Sequence, residues 1–314
     1  QPAGSCCCCK CRNDSGHLEV RPPIRIDGEL PTLHEPVLIV MLTGWIDASA
    51  AAFGAMEAIK KGTDAQRIVT FDPDSFIDYR VRRPMMELRD GKNNKLVWSA
   101  PEMYAGKDDN DRDVLILCGP EPDSAWLYFA DVVGDLCLKL GVVKMFGIGA
   151  YPFAAPHTRP PQLSCTSPSE VALAEVPFIK SSADVPAGME SVLEHAMQER
   201  GIQALGLWGQ VPHYVSAMPY PAASAALVGA VQMVAGLSID VADLRAEAVL
   251  QRERIDKLVS GNAEHLQMVQ QLETAFDEAV SAGNIIADTQ SSGSGDAIAD
   301  EIESFLREQN DLGN

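Results

Sequence analysis

The sequence predicts an α/β protein: a mixed, mainly parallel central sheet flanked by helices, with a C-terminal helical hairpin. Three observations predict it. Runs such as Val37–Leu42 and Asp113–Cys118 are apolar at nearly every position, as strands buried on both faces of a sheet must be. Strand, helix and strand alternate along most of the chain, which implies crossover connections and mainly parallel pairing. From Asp240 the apolar residues fall instead on heptad spacing, which suits a pair of amphipathic helices.

The elements follow in order. Residues 1–35 are polar, carry Pro22-Pro23, and read as an extended arm. The core domain spans 36–238. Its first strand, Val37–Leu42, runs into Thr43-Gly44-Trp45-Ile46-Asp47 and an Ala-rich helix from Ala48 to Lys60. A second strand, Ile68–Phe71, leads into FDPDSFIDYRVRRP (71–84). Met85–Arg89 and Lys95–Ser99 flank DGKNN, the signature of a hairpin that adds an antiparallel part. Asp113–Cys118 ends in GPEPD (119–123), and a helix runs from Ser124 to Leu140. Val142–Ile148 is the next strand. Gly149–Ser182 is proline-rich with little periodicity, and long irregular segments in compact domains are often functional. A helix over Ala187–Arg200 precedes the strand Ala204–Gly209, then VPHY (211–214) and a helix over Ala222–Leu237. Residues 239–283 form the helical hairpin. Its seam is Val241, Leu244, Ala248, Ile255, Leu258, Val269, Leu272, Phe276 and Ala279, with a break at Gly261-Asn262. Residues 284–314 hold a flexible linker, TQSSGSGD, and a short acidic helix, Ala297–Glu308.

Bulk composition narrows the function classes. A chain of 314 residues with 46% hydrophobic content can bury one large core or two smaller ones. A net charge of −19 repels nucleic acid and anionic membrane, so neither is an expected partner. No apolar run reaches the ~20 residues needed to span a bilayer, and the start of the chain lacks the order of a signal peptide; a cytoplasmic protein is expected. Cys6, Cys7, Cys8, Cys9 and Cys11 crowd the N-terminus without a second CxxC or a histidine pair at zinc spacing. They read as an irregular tail, and no metal or cofactor is expected. Cys118 and Cys137 sit in apolar runs as small core residues. GxGxxG, GxxxxGK[ST], GxSxG and HExxH are all missing. Cys165, in LSCTSP, has no base marked beside it.

The polar residues that solubility does not explain gather in the loops after strands, where open α/β sheets bind ligands. They are Asp47, Asp72, Asp78, Arg80, Arg83, Glu121, Asp123, His157, Arg159 and His213. Arg80, Arg83 and Arg159 could clamp a carboxylate or phosphate. His157 or His213 could move protons near neutral pH, with Asp47 or Asp72 as orienting group or base. In an extended DYRVRRP, Tyr79, Val81 and Arg83 share one face, so Arg80 and Arg82 are not expected in the pocket of Arg83. Three readings stay open: Asp–Arg pairs that pin loops, a small-anion or nucleotide-like pocket, and a protein-contact surface.

At these same loops GWIDA, FDPDSFIDYRVRRP, GPEPD, PHTRP and VPHY, in that order, resemble the bacterial branch of the proteasome assembly chaperone 2 family. The resemblance runs from about Pro36 to Val280. It implies a core similar to nucleoside phosphorylases and, for eukaryotic and archaeal relatives, chaperoning of proteasome α-subunits rather than catalysis. Those chaperones often end in a hydrophobic–Tyr–any tail, whereas this chain ends NDLGN. The expectation is a non-enzymatic protein-interaction or assembly factor that self-associates as a homo-oligomer. The alternative is an enzyme or binding protein for a small anionic or nucleoside-like ligand, contacted by Arg83, His157, Arg159 and Asp47. An interaction factor should expose an apolar patch; a ligand protein should bring the five loops to one concave pocket.

Overall fold

A computed structural model of the protein describes residues 22–281. The N-terminal cysteine cluster, the 289–296 linker and the acidic helix at 297–308 lie outside the described residues. In chain order the elements are β1 (Ile24–Ile26), β2 (Val37–Thr43), α1 (Ala51–Gly62), β3 (Gln66–Phe71), the one-turn α2 (Pro73–Phe76), β4 (Met85–Arg89), β5 (Lys92–Val97), β6 (Glu102–Lys107) and β7 (Asp113–Pro120). Then come α3 (Trp126–Leu140), β8 (Lys144–Phe153), β9 (Leu163–Thr166), the short α4 (Glu170–Ala174), α5 (Met189–Glu199), β10 (Gln203–Pro212), α6 (Pro221–Ala235), α7 (Ala242–Ser260) and α8 (Ala263–Ser281).

Eight strands form one mixed sheet in the order β1-β3-β6-β7-β2-β8-β10-β9. The four central strands β7, β2, β8 and β10 run parallel, and antiparallel strands close both margins. The central strands are uniformly apolar because both faces are covered. Along β2, Leu38, Val40 and Leu42 enter the core beneath α3 and α5, while Val37, Ile39 and Met41 enter the core beneath α1 and α6. That alternation is the period-2 geometry of a strand. α1 and α3 leave on opposite faces, so the chain is wound both ways around β2, and the carboxyl end of β2 is where a ligand crevice is expected.

Three details depart from the sequence reading. β6, a half-polar run, pairs β3 to β7 inside the sheet. The irregular 149–182 segment holds the end of β8, the edge strand β9 and α4, so Cys165 lies in a strand, buried, rather than in a loop. The hairpin turns more tightly than predicted: Asp90 and Gly91 alone connect β4 to β5 (φ 49° and 79°), and Lys92–Asn94 belong to the second strand. β4 and β5 form a sheet of their own.

α7 and α8 form the expected hairpin. Ile255, Val259, Val269 and Phe276 are its buried positions. Val259 takes the seam position predicted for Leu258, which is 63% exposed. Ile255, Val259 and Val269 share a core with Ile46, Tyr151, Val211 and Val215, so the hairpin packs against the strand ends.

A candidate cleft at the carboxyl ends of the parallel strands

The segment 71–84 is anchored by aromatics and tied by its own charges. Phe71 and Phe76 are fully buried against Phe129, with centroids 4.8 and 5.1 Å from its ring. Pro73 starts α2 at a position where its missing N–H costs nothing, and the Asp72 carboxylate accepts from Ser75 Oγ at 2.7 Å. The chain then turns, with Val81 and Arg82 N–H both donating to the Asp78 carbonyl. The turn breaks the extended alternation and sends Arg82, rather than Arg83, inward. Arg82 Nε donates to Asp123 (3.1 Å), whose other oxygen accepts from the Asp78 N–H (2.9 Å). The Asp78 carboxylate itself accepts from the Arg80 N–H. Arg80 and Arg83 are exposed.

Asp47 is also employed by the backbone. Its two oxygens accept from the N–H groups of Ala52 and Phe53 at 2.7 and 3.0 Å, the free donors of a helix start. These bonds hold Ser49 and Ala50 at φ 60° and 50°, a left-handed conformation that costs non-glycine residues of order 1–3 kcal/mol each. Burial pushes the Asp47 carboxyl up, opposed by those backbone donors.

His157 and Arg159 face the helical hairpin. The Tyr214 hydroxyl accepts from the His157 backbone N–H (2.8 Å) and lies 2.6 Å from His157 Nδ1; His157 Nε2 lies 2.9 Å from Asp256 on α7. The Asp256 carboxylate can only accept, so Nε2 carries the hydrogen and donates to it, and Nδ1 of that tautomer accepts from the Tyr214 hydroxyl. Arg159 grips Asp277 of α8 bidentately (2.8 and 2.6 Å) and reaches Glu273 at 3.2 Å. Thr158 Oγ1 also donates to Glu273. A shallow hollow of about 250 Å3 beside this loop includes Tyr220 and Arg252. His213 stacks edge-on with Tyr214 and lies at the limit of hydrogen bonding from the Phe153 carbonyl. The predicted residues therefore include two sets, one around Asp123 and one against α7 and α8, with Asp47, Asp72 and Glu121 bonded in neither and Arg80 and Arg83 exposed. Among the described residues no hydrogen bond or ion pair joins the two. The second set makes Arg159→Ala a test of hairpin docking: amide exchange in α8 accelerates while α3 is unchanged, whereas equal protection in both proteins would show that Ile255, Val259, Val269 and Phe276 hold the hairpin unaided.

Between the two sets lies the crevice. β2 and β8 pair only over Val37–Val40, and they meet again at the bridge between Asp47 and Ala150. Glu190, from the first turn of α5, fills the gap. It takes the Leu42 N–H at 3.1 Å, while its other oxygen is buried without a partner among the described residues. Glu121, also buried, accepts the Met189 N–H at the start of the same helix. Glu194, one turn on, accepts from Thr166 Oγ1 at 2.9 Å. Burial, then the negative neighbours Glu194, Glu121 and Asp47, drive the Glu190 carboxyl well up. Burial pushes Glu194 to about 7, and burial, with the charge of Asp123 adding to it, raises Glu121. Glu194 is therefore about half protonated near pH 7, and burial biases Glu190 and Glu121 toward the protonated form.

Outward of the acids, Trp45, Ile46, Tyr151, Ser164, Thr166 and Trp208 line a cleft of about 210 Å3, rimmed by Ser181, Ala183, Val185, Pro186, Ala187 and Ser191. The indoles need glycines beneath them. A Cβ on Gly149 would stand 2.3 Å from Trp208, and one on Gly188 would stand 2.6 Å from Trp45. Trp208 Nε1 donates to Thr166 Oγ1 (3.0 Å), which donates onward to Glu194. Trp45, Trp208, Glu190 and Glu194 escaped the sequence reading. The signal was in α5: Met189, Leu193, Ala196 and Met197 make its buried stripe, and 190 and 194 fall on the edge of that stripe. Among the described residues no group of three His, Cys, Asp or Glu is placed to hold a metal ion, and no helix is long and apolar enough to cross a membrane.

Comparison with known proteins bears on the whole arrangement. A family model, the PAC2 family, matches residues 41–259, which include the strand-end loops, the buried acids and the cleft. A Mycobacterium tuberculosis protein of unknown function superposes with a TM-score of 0.78 at 29% identity, covering 90% of this chain and 96% of that one. A Mycobacterium tuberculosis proteasome-assembly chaperone homologue is 32% identical with a TM-score of 0.69, covering 74% of this chain and 99% of that one. A PAC2 family protein from Streptomyces avermitilis gives 26% identity and a TM-score of 0.68 over the same shares. A search of curated proteins finds no match. With the match spanning most of the sheet, both sets of charged loops and the crevice between them, the chain belongs to the PAC2 family.

Proposed function

We propose that this chain is a non-enzymatic protein-interaction factor of the assembly-chaperone kind, that it acts as a homo-oligomer, and that the β4–β5 hairpin is its contact arm. One observation carries the reading. Every residue of β4 and β5 is exposed, including Met85 (72%), Met86, Leu88, Leu96 and Val97, with Val81 and Trp98 beside them. Contiguous apolar surface on a water-facing ribbon marks an interaction site, and a lone two-stranded ribbon is marginal by itself. The charge on the arm names its partner. Residues 79–98 hold six basic side chains and two acidic ones, a net +4, on a chain of net −19. A second copy of this acidic chain offers the complementary surface, and complementary fields steer and orient association. The likeness to a proteasome-assembly chaperone homologue supports a protein partner of that class. The charged loops, by contrast, are engaged with their own backbone and with α7 and α8, which leaves little to hold a free anion.

The experiment is sedimentation or light scattering across a concentration series, with Met86→Lys/Leu96→Lys as the variant. Both positions are exposed, so the fold is retained. The wild type is expected to dimerise or assemble further and the variant to run as a monomer. A wild type that stays monomeric, or a variant that assembles equally, removes the arm from the mechanism.

A further inference from the structure

The cleft at the strand ends carries hydrogen-bonding capacity that the protein does not use. Gln210 donates to Tyr151 Oη at 3.0 Å, and Tyr151 Oη lies 3.2 Å from Ser164 Oγ. That last contact employs one hydroxyl hydrogen of the two. If Tyr151 donates, the Ser164 hydrogen is left over; if Ser164 donates, the Tyr151 hydrogen is. Either way one donor remains, and both side chains line the cleft. Both are more than nine-tenths buried, Ser164 at 7% and Tyr151 at 6% exposed. Buried donors ordinarily find acceptors. Directly behind them Gln210 Oε1, on a side chain 2% exposed, has no partner among the described residues.

The rest of the wall is flat and uncharged. Trp45 and Trp208 supply two indoles, and Ile46, Val185 and Pro186 complete an apolar enclosure. No carboxylate, lysine or arginine lines it. An anion entering would lose its water without meeting a counter-charge, a cost that hydroxyl donors do not offset. Apolar concave walls with a few convergent polar groups are the ordinary make-up of a small-molecule site.

We propose that this cleft binds a small, neutral, planar molecule bearing a carbonyl, of the aromatic amide or lactam class. Its ring lies against Trp45 and Trp208, and its carbonyl oxygen accepts the spare hydroxyl hydrogen of the Tyr151–Ser164 pair. The site is independent of the hairpin arm and takes Trp45 and Ile46, but no charged side chain, from the strand-end loops.

The test uses the full chain and three probes of one shape: benzamide, benzoate and benzamidine. Tryptophan emission reports binding, because two of the four tryptophans wall the cleft. Benzamide is expected to give a saturable change in the range of about 1–10 mM, as suits so small a probe, and the two charged probes to bind at least about tenfold more weakly. Tyr151→Phe/Ser164→Ala, which removes both hydroxyls, is expected to weaken benzamide about fivefold or more. Should that variant fail to fold, Ala187→Trp at the exposed rim obstructs the cleft without touching its floor, and is expected to abolish the change. A charged probe that binds as well as benzamide, no saturation with any probe, or unchanged binding in either folded variant would overturn the proposal.

Discussion

Glu194→Gln stabilises the protein at pH 8 and leaves its stability almost unchanged at pH 4. Glutamine copies the protonated acid: its carbonyl accepts from Thr166 Oγ1 as the carboxyl does now, and nothing is left to ionise. The sign follows from burial. Glu194 holds its proton up to about 7 in the folded chain, against a usual value of 4.5. Between those values the folded state binds a proton that the unfolded state has released. Stability from this group is therefore complete at low pH and falls as pH rises through that window. A shift of that size corresponds to about 3 kcal/mol at most, or roughly 5 °C in Tm for a chain this long. Urea unfolding of both proteins at pH 4, 5, 6, 7 and 8 checks it. The gap should be near zero at pH 4, be growing by pH 5, and reach its plateau above pH 7. A gap that is the same at every pH would mean that Glu194 is already ionised, or already hydrated, in the folded chain.

The reason for so many carboxyls in one place lies in the sheet. Where β2 and β8 splay, the Leu42 N–H loses its ladder partner, and Glu190 supplies an acceptor. The Met189 N–H at the start of α5 meets the same need through Glu121. Each acid satisfies a backbone donor that the crevice would otherwise strand. Because the acids sit together and away from water, burial disfavours their charged forms and raises each of them.

Much of this architecture was legible in the sequence, and the failures share a cause. Val37–Leu42 and Asp113–Cys118 announced themselves because a strand buried on both faces has no polar positions to confuse the period. Glu102–Lys107 went unseen because a strand near the sheet margin is half polar and reads like a loop. Val259 displaced Leu258 because a break at Gly261 lets each helix set its own phase against the core. The candidate site was legible in place but not in detail. The strand-end loops were found, yet their charges serve the backbone and the helical hairpin. Residue spacing cannot show which of Arg82 and Arg83 turns inward once Asp78 starts a turn. The cleft itself is built from two tryptophans that look like ordinary core residues until Gly149 and Gly188 are seen beneath them.

Phe76→Ala is expected to cost about 3–5 kcal/mol, the usual toll of emptying a fully buried aromatic site, and Arg82→Ala roughly 1 kcal/mol. The comparison decides what holds the charged segment. Phe76 is wholly buried and packs edge-on against Phe71 and Phe129, with Tyr128 at 5.8 Å. Arg82 makes one ion pair with Asp123 while a quarter of its side chain still meets solvent, so water recovers much of what the pair loses. By this account the aromatics fix the segment and the charges only choose its course. The consequence reaches the contact arm, since residues 77–84 are the stalk from which β4 begins. Phe76→Ala should therefore make the arm, Met85–Val97, a preferred site of limited proteolysis under native conditions, while Arg82→Ala leaves the digestion pattern almost unaltered. If the arginine variant loses as much stability as the phenylalanine variant, or frees the arm equally, then the charge network and not the aromatic cluster is the anchor, and the ordering argued here is reversed.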